Sequence, residues 1–408
     1  MPLPLEGIRI IDLSWIIAGP LATRFLAHFG ADVIKVESRS RMDVGRANRT
    51  PLYGDLPGDA NSNPDTGGYF QDVNAGKRSC TLDLTTEGGR ELLRRLVRVS
   101  DAIICNLAGD QLVRWGVGYE QACELNPGII VVNVPAMESS GPRTGWRGFG
   151  DTFAGVGGIK AVSGHPSDPP LPFGHQYPDF SANAFHAATA LVAAIHHRDR
   201  TGEGQFIEIS QYESTAAISG ATVLEYTANG ELPPKPGNRD PMAAPHNIYR
   251  CEGDDSWCAI AVEDGSQWAA LIAFDGLEAL RDERFGTLRG RQQHEDEIDA
   301  VIERWTVRWD RQQLATALQE RGVPAGPFQN IEEIVEIDPT LSDQHFARLP
   351  HPVGRDFLVH RNPIRMMGGP VPPWLGPLIG ADTFEVLSEV VGLSGDEIAE
   401  YAAKGALE

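Results

Sequence analysis

Apolar and polar residues alternate along this chain in blocks whose period shifts regularly between strand and helix. "IRIIDLSWIIAGPLATRFLAHFGADVIKVE" opens with Ile8 to Leu13, a short apolar run that reads as a buried strand. Ala18 to Phe29 then carries apolar residues at helical spacing, and the glycine after it suits the end of a helix. Ala31 to Val36 is a second β-branched run. The order returns downstream: "LTTEGGRELLRRLVRVSDAIICNL" predicts a helix near Glu87 to Val97 and a strand at Ala102 to Cys105, and "NPGIIVVNV" predicts another strand. Short apolar strands alternating with helices predict an α/β fold, with a mostly parallel sheet covered on both faces.

The pattern breaks in two places. Arg41 to Gly68 is rich in Asn, Asp, Pro and Gly and shows no period, so it reads as a long surface loop, either a lid or irregular packing. After a helix from Ala182 to about His197, a strand in "RTGEGQFIEIS" and a further helix in "QYESTAAISGATVLEYTANG", the segment "ELPPKPGNRDPMAAP" interrupts everything with four prolines before Met242. "NIYRCEGDDSWCAIAVEDGSQWAALIAF" then reads as a hairpin leading into a helix, and more helices follow to about residue 325. These breaks divide the chain into a first large part over 1–225, a smaller α+β unit over 226–325 and a closing segment over 326–408. There is no internal repeat.

Composition narrows the class. The 408 residues are 41% apolar and 22% charged, ordinary for a globular protein. A formal net charge of −21 argues against nonspecific nucleic acid or anionic membrane binding, yet leaves room for a local basic pocket. The five cysteines, Cys80, Cys105, Cys123, Cys251 and Cys258, form no CxxC pair, so no zinc site is expected and a reducing compartment is. With no signal-like start and no run of eighteen apolar residues, the reading is a cytoplasmic protein.

The chemistry centres on "PDFSANAFHAATALVAAIHH". Asp179 follows Pro178 and precedes a helix, where its oxygens would cap free N–H groups and stay ionised. The same carboxylate in a dry pocket could attack an activated acyl group. His186, His196 and His197 read as structural, and His175 could reach the mouth of such a pocket. Lys77 and Arg78 in "AGKRS" read as a solvated edge or, less simply, a phosphate site. No GxGxxG stands between a strand and a helix, and no GxxxxGK[ST], HExxH or GxSxG occurs, so nothing advertises a dinucleotide, ATP, a metal or a hydrolase serine.

Five stretches in order resemble the class III CoA-transferases, the family of formyl-CoA transferase and of the carnitine and bile-acid CoA-transferases. They are "LEGIRIIDLSWIIAGPLATRFLAHFGADVIKVE", "YFQDVNAGKRSCTLDLTTEGGRELL", "RWGVGYEQACELNPGIIVVNV", "PDFSANAFHAATALVAAIHHRDRTGEGQFIEIS" and "PLIGADTFEVLSEVVGLSGDEI". The resemblance implies a Rossmann-like large domain completed by the C-terminal segment, an inserted small domain, and an interlocked dimer. It implies an acyl-CoA and a carboxylic acid as substrates, with CoA bound as substrate and no tightly held cofactor or metal. It puts the family's catalytic aspartate on Asp179, which would form an aspartyl anhydride and then an aspartyl-CoA thioester. The CoA-contacting positions fall on Ile17 and Ala18, Arg39, Leu82, Asp83, Leu84 and Thr85, Asn106, Leu107 and Ala108, Arg114, and Gly148, Phe149, Gly150 and Asp151. A family glutamine is replaced by Ile17, so backbone N–H groups there would polarise the thioester oxygen.

Departures from the family pattern shape the specificity. "NLAGD" stands where "NFRPG" is common, "AMESSGP" puts Glu138 where glutamine is usual, and "GNRDPMAAPH" occupies the place of the glycine-rich lid of formyl-CoA transferase. These point away from the formyl and oxalate pair and toward the subgroup for larger acids, including benzylsuccinate-type enzymes, with succinyl-CoA as donor and Arg239 as a clamp for a second carboxylate. The rivals are an acyl-CoA racemase, whose histidine would fall on Gly150, an acyl-CoA hydrolase, and a subunit of a heteromeric transferase.

Overall fold

Six parallel strands form the central sheet of the large unit: β1 (Arg9–Asp12), β2 (Asp32–Glu37), β3 (Arg78–Thr81), β4 (Ala102–Cys105), β5 (Ile130–Asn133) and β6 (Phe206–Glu208), in the order β3-β2-β1-β4-β5-β6. This computed structural model describes residues 2–47, 63–107, 109–171, 176–353, 356–366 and 371–407. Ala108, His175 and residues 48–62 of the loop expected over Arg41 to Gly68 lie outside the described residues. The described flanks of that loop are not structureless: helices occupy Val44–Ala47 and Gly68–Val73.

Both faces of the sheet are covered, which is why the central strands β4 and β5 read as nearly unbroken apolar runs. Helix α1 (Ala18–His28) packs Leu21 and Leu26 with Ile10, Val33 and Ile104 on one face. Helix α2 (Glu87–Arg98) packs Leu92, Leu93 and Leu96 with Ile11, Ile34 and Ile103 on the other. Thr86 caps α2 by accepting from Gly89 N at 3.0 Å. The short helix α3 (Gly150–Val156) follows β5, and the long helix α4 (Ala184–Thr201) adds Ala187 and Leu191 to the face of α1. Its interior alanines are what let α4 lie close.

The closing segment completes this unit. Ser79 N donates to Asp382 Oδ2 at 2.7 Å and Thr81 N to Thr383 Oγ1 at 2.9 Å, so the open edge of β3 is sealed by side chains. Val386 and Leu387 join the core beside α2.

The chain divides into two units, one of Met1–Ile159, Pro172–Leu224 and Pro339–Glu408, the other of Lys160–Leu171 and Glu225–Asp338. In the smaller unit β7 (His246–Arg250) and β8 (Trp257–Ala261) form an antiparallel hairpin, and β9 (Ala325–Pro327) pairs with β8. Helices α5 (Glu295–Thr306) and α6 (Arg311–Gln319) close its own core around Ile260, Ile298, Trp305 and Leu314. The unit extends past residue 325 because the β9 segment supplies its third strand.

Candidate active site

Asp179 is not a cap. Pro178 already has helical angles, φ −61° and ψ −36°, and Asp179–Asn183 forms a π-helical turn that runs straight into α4. The N-cap of that turn is Pro178, whose ring offers no side-chain acceptor, and Asp179 is the first residue inside the turn. A π turn widens a helix locally and is frequent at functional sites. Here it carries the carboxylate inward: Asp179 is 6% exposed, and its Oδ2 is buried with no hydrogen-bond partner among the described residues. Burial therefore pushes this carboxyl up to about 7, partly offset by the Asn183 side chain and the residue's own N–H. The ionised cap expected from the sequence is replaced by a desolvated carboxyl that titrates near neutrality.

Three groups shape its surroundings. A Cβ on Gly150 would stand 2.0 Å from Asp179 Oδ2 and 2.6 Å from Gln176 Cβ, so only glycine lets the start of α3 meet the carboxylate. Gln176 lies one turn before Asp179, and its Oε1 accepts from Tyr69 Oη at 3.2 Å. The Tyr69 ring meets Phe180 edge-on at 6.0 Å. Burial, and then the charge of Asp179, raise the Tyr69 hydroxyl well above its ordinary range, so it stays a donor.

A second feature lies where the strand order reverses, between β1 and β4, the place where open α/β sheets bind ligands. A cavity of about 230 Å³ opens at the carboxyl ends of β1, β2, β3 and β4. Leu82, Asp83, Leu84 and Thr85 line it together with Leu107 and Arg114. Asp83 shapes its own loop, accepting from Thr85 N at 2.9 Å and Thr85 Oγ1 at 2.6 Å. Among the described residues Arg114 pairs with the exposed Asp110, at 2.8 Å, a solvated contact that an anionic ligand can replace.

Other expected residues fall elsewhere. Arg39 donates to the Ile379 carbonyl at 2.9 Å and does not line the cavity; Arg41 does, with its guanidinium 5.3 Å from the Trp15 ring centre. Asn106 is engaged with the Trp15 backbone instead of facing the cavity. Ile17 and Ala18 are buried at the start of α1. Gly148, Phe149 and Asp151 surround Gly150, with Phe149 and Asp151 exposed. Lys77 is no solvated edge: it is buried, 2.8 Å from Asp12 Oδ2, while Arg78 pairs with Asp32. His186 Nδ1 lies 2.6 Å from Ser214 Oγ, and His196 and His197 precede the last turn of α4, which carries Arg198 and Arg200. Arg239 is surrounded by Glu295, Asp296 and Asp299, which engage the clamp expected for a substrate carboxylate. Sequence reasoning missed Tyr69, Gln176, Trp15 and Arg41. Gln176, three residues before Asp179 on the same helical face, was the one with a readable signal.

No helix among the described residues is long and apolar enough to cross a membrane. The sequence profile of CoA-transferase family III matches residues 5–383. The chain is 33% identical over 415 residues to succinyl-CoA–D-citramalate CoA-transferase of Chloroflexus aurantiacus, covering 99% of this chain and 98% of that protein. It is 33% identical over 394 residues to succinyl-CoA:mesaconate CoA-transferase of Haloarcula marismortui, covering 94% and 96%. Among solved structures, a CAIB/BAIF family protein from Brucella suis superposes with a TM-score of 0.84 at 30% identity, covering 96% of this chain and all of that one.

Proposed function

This chain belongs to CoA-transferase family III, and from that premise we propose that it moves CoA from a dicarboxylic acyl-CoA, such as succinyl-CoA, to a second carboxylic acid, with Asp179 as the group that is transiently acylated. The observation that carries the reading is the buried Oδ2 of Asp179, an acceptor with no donor among the described residues. The ionised carboxylate attacks the thioester carbonyl, and CoA leaves as thiolate. The thiolate attacks the aspartyl carbonyl of the resulting anhydride, releases the donor acid and leaves an aspartyl-CoA thioester. The acceptor carboxylate attacks that thioester, and the displaced thiolate takes the acceptor acyl group from the second anhydride, restoring Asp179. A bare carboxylate has only oxide to expel, so the anhydride supplies the leaving group and each step conserves the thioester energy. The carboxyl ends of β1 to β4 would hold the nucleotide end of CoA, with Arg114 and Arg41 toward its phosphates.

The raised carboxyl gives the activity a pH dependence. Below about pH 7 Asp179 holds its proton and cannot attack, so kcat/KM should fall roughly tenfold per pH unit on the acid side and level off above pH 7. A flat profile between pH 5 and 8 would contradict this assignment of the nucleophile.

Gly150 weighs against the racemase reading. That chemistry needs a second base facing the first across the α-carbon, and the space at Gly150 is filled by Asp179 itself. The relatives' names favour short dicarboxylic acids as partners. A benzylsuccinate-type acceptor has the "GNRDPMAAPH" segment in its favour, although Arg239 there is engaged by acids of the protein. The reading includes a dimer of interlocked chains, or a heteromer with a homologous subunit, in the cytoplasm, where free cysteines persist. The test is incubation with succinyl-CoA and a panel of mono- and dicarboxylic acids, with products read by mass. New acyl-CoAs formed from dicarboxylates are expected; release of free CoA alone would mean hydrolysis.

A further inference from the structure

The turn from Ser14 to Ile16 joins β1 to α1 at the switch point, and side chains grip each of its residues. Ser14 N donates to Asp12 Oδ1 at 2.9 Å, and Ser14 O accepts from Lys35 Nζ at 2.6 Å. Asn106 holds Trp15 from both sides: Trp15 N donates to its Oδ1 at 2.7 Å, and its Nδ2 donates to Trp15 O at 2.8 Å. Ile16 N donates to Asp43 Oδ1 at 3.1 Å. Lys35 and Asp43 are themselves paired at 3.2 Å, and both are buried.

A plain strand-to-helix turn needs none of this. Each buried ion carries a desolvation penalty that only its partners offset. Ile16 sits at φ 69°, a left-handed conformation that is an outlier for a β-branched residue and is kept only when its surroundings enforce it. Gly19 tightens the arrangement: a Cβ there would stand 2.3 Å from Ser14 Cβ, so the first turn of α1 rests on the same turn. What the turn presents is Trp15, which lines the cavity with the Arg41 guanidinium over its ring.

We propose that Lys35, Asp43 and Asn106 are positioning residues that hold this turn rigid, making Trp15 and the stacked Arg41 a fixed wall for the adenosine phosphate end of CoA. The proposal rests on the cavity being the CoA site. An aromatic face and a guanidinium plane suit a purine ring, and the guanidinium N–H groups suit its phosphates. A wall fixed before binding loses less freedom when the ligand arrives, so affinity is where rigidity is felt.

The experiment uses the full chain, with CoA itself as the probe. Calorimetric Kd for CoA is measured for the wild type, Asp43→Asn, Asn106→Ala and Leu96→Ala, together with Tm and hydrogen exchange of the peptide spanning Trp15 and Ile16. Leu96→Ala loses core packing of α2 without touching a side chain that grips the turn, and serves as the control for stability alone. The Asp43 and Asn106 variants are expected to weaken CoA by about tenfold and to speed exchange at the turn, while Leu96→Ala lowers Tm and leaves Kd in place. A weakening below about fivefold, or one that Leu96→Ala shares, overturns the proposal. Should Asp43→Asn fail to fold, Asn106→Ala decides by the same criteria, because its removal strands no buried charge. Wild-type chain that binds CoA yet transfers none would refute the proposed function and leave this test standing.

Discussion

Replacing Asp179 by asparagine is expected to abolish CoA transfer and to make the protein more stable. Loss of a covalent nucleophile costs on the order of ten-thousandfold or more in kcat. The gain in stability follows from linkage. Burial raises the Asp179 carboxyl from 3.8 to about 7, so the folded protein holds this proton more tightly than the unfolded chain does between those values. Stability from this group is fully present below the unfolded pKa and is lost as pH rises through about 7. Above that, the buried charge destabilises the fold by on the order of 4 kcal/mol. Asparagine carries no such charge. Asp179→Asn should therefore unfold at a higher temperature than wild type near pH 8, with the difference closing as the pH falls toward 4. Denaturation measured at both pH values checks the sign. Wild type that is the more stable protein at pH 8 would mean that the carboxylate is satisfied by groups in solution.

Gly150→Ala should be nearly as damaging, although it adds one methyl group and changes no charge. The new Cβ would fall 2.0 Å from Asp179 Oδ2, and a normal contact requires the carboxylate to retreat by about 1 Å or more. Misplacing a reacting group that far costs on the order of a hundredfold in rate. Gly155→Ala, in the same helix with open space around the added Cβ, is the control and should keep full activity. Initial rates of the two variants side by side make the comparison. Equal activity would show that the π turn yields freely and that the carboxylate is not held by this contact.

Much of the large unit was legible because its physics is local. The run Ile8 to Leu13 is apolar on both faces because β1 is covered on both faces, and the break after Phe29 is a helix end at Gly30. The matched family segments placed Leu82 to Thr85, Leu107 and Arg114 around one cavity from residues far apart in the chain. What could not be read was where side chains turn after the backbone folds. Asp179 looks like a cap to anyone who starts the helix at Ser181, and only the π turn reveals that it points inward. Lys77 looks solvated in an acidic chain, but Asp12 at 2.8 Å draws it into the core. The resemblance pointed to Arg39, yet Arg41, two residues on, is the one that lines the cavity and lies over the ring of Trp15, a placement that depends on the fold of the turn. Tyr69 left no mark, since its meeting with Gln176 depends on a tertiary contact across 107 positions of sequence.

One isotopic measurement bears most directly on the nucleophile. Turnover with an acceptor acid carrying heavy oxygen in its carboxylate, followed by peptide mapping, reports which protein oxygen exchanges with substrate. The proposed sequence of anhydrides expects one heavy oxygen to enter the Asp179 carboxylate per cycle, found in the peptide that contains it, and to appear in the released donor acid after a further cycle. Full transfer with that peptide unlabelled, or with the label in another carboxylate, would contradict it.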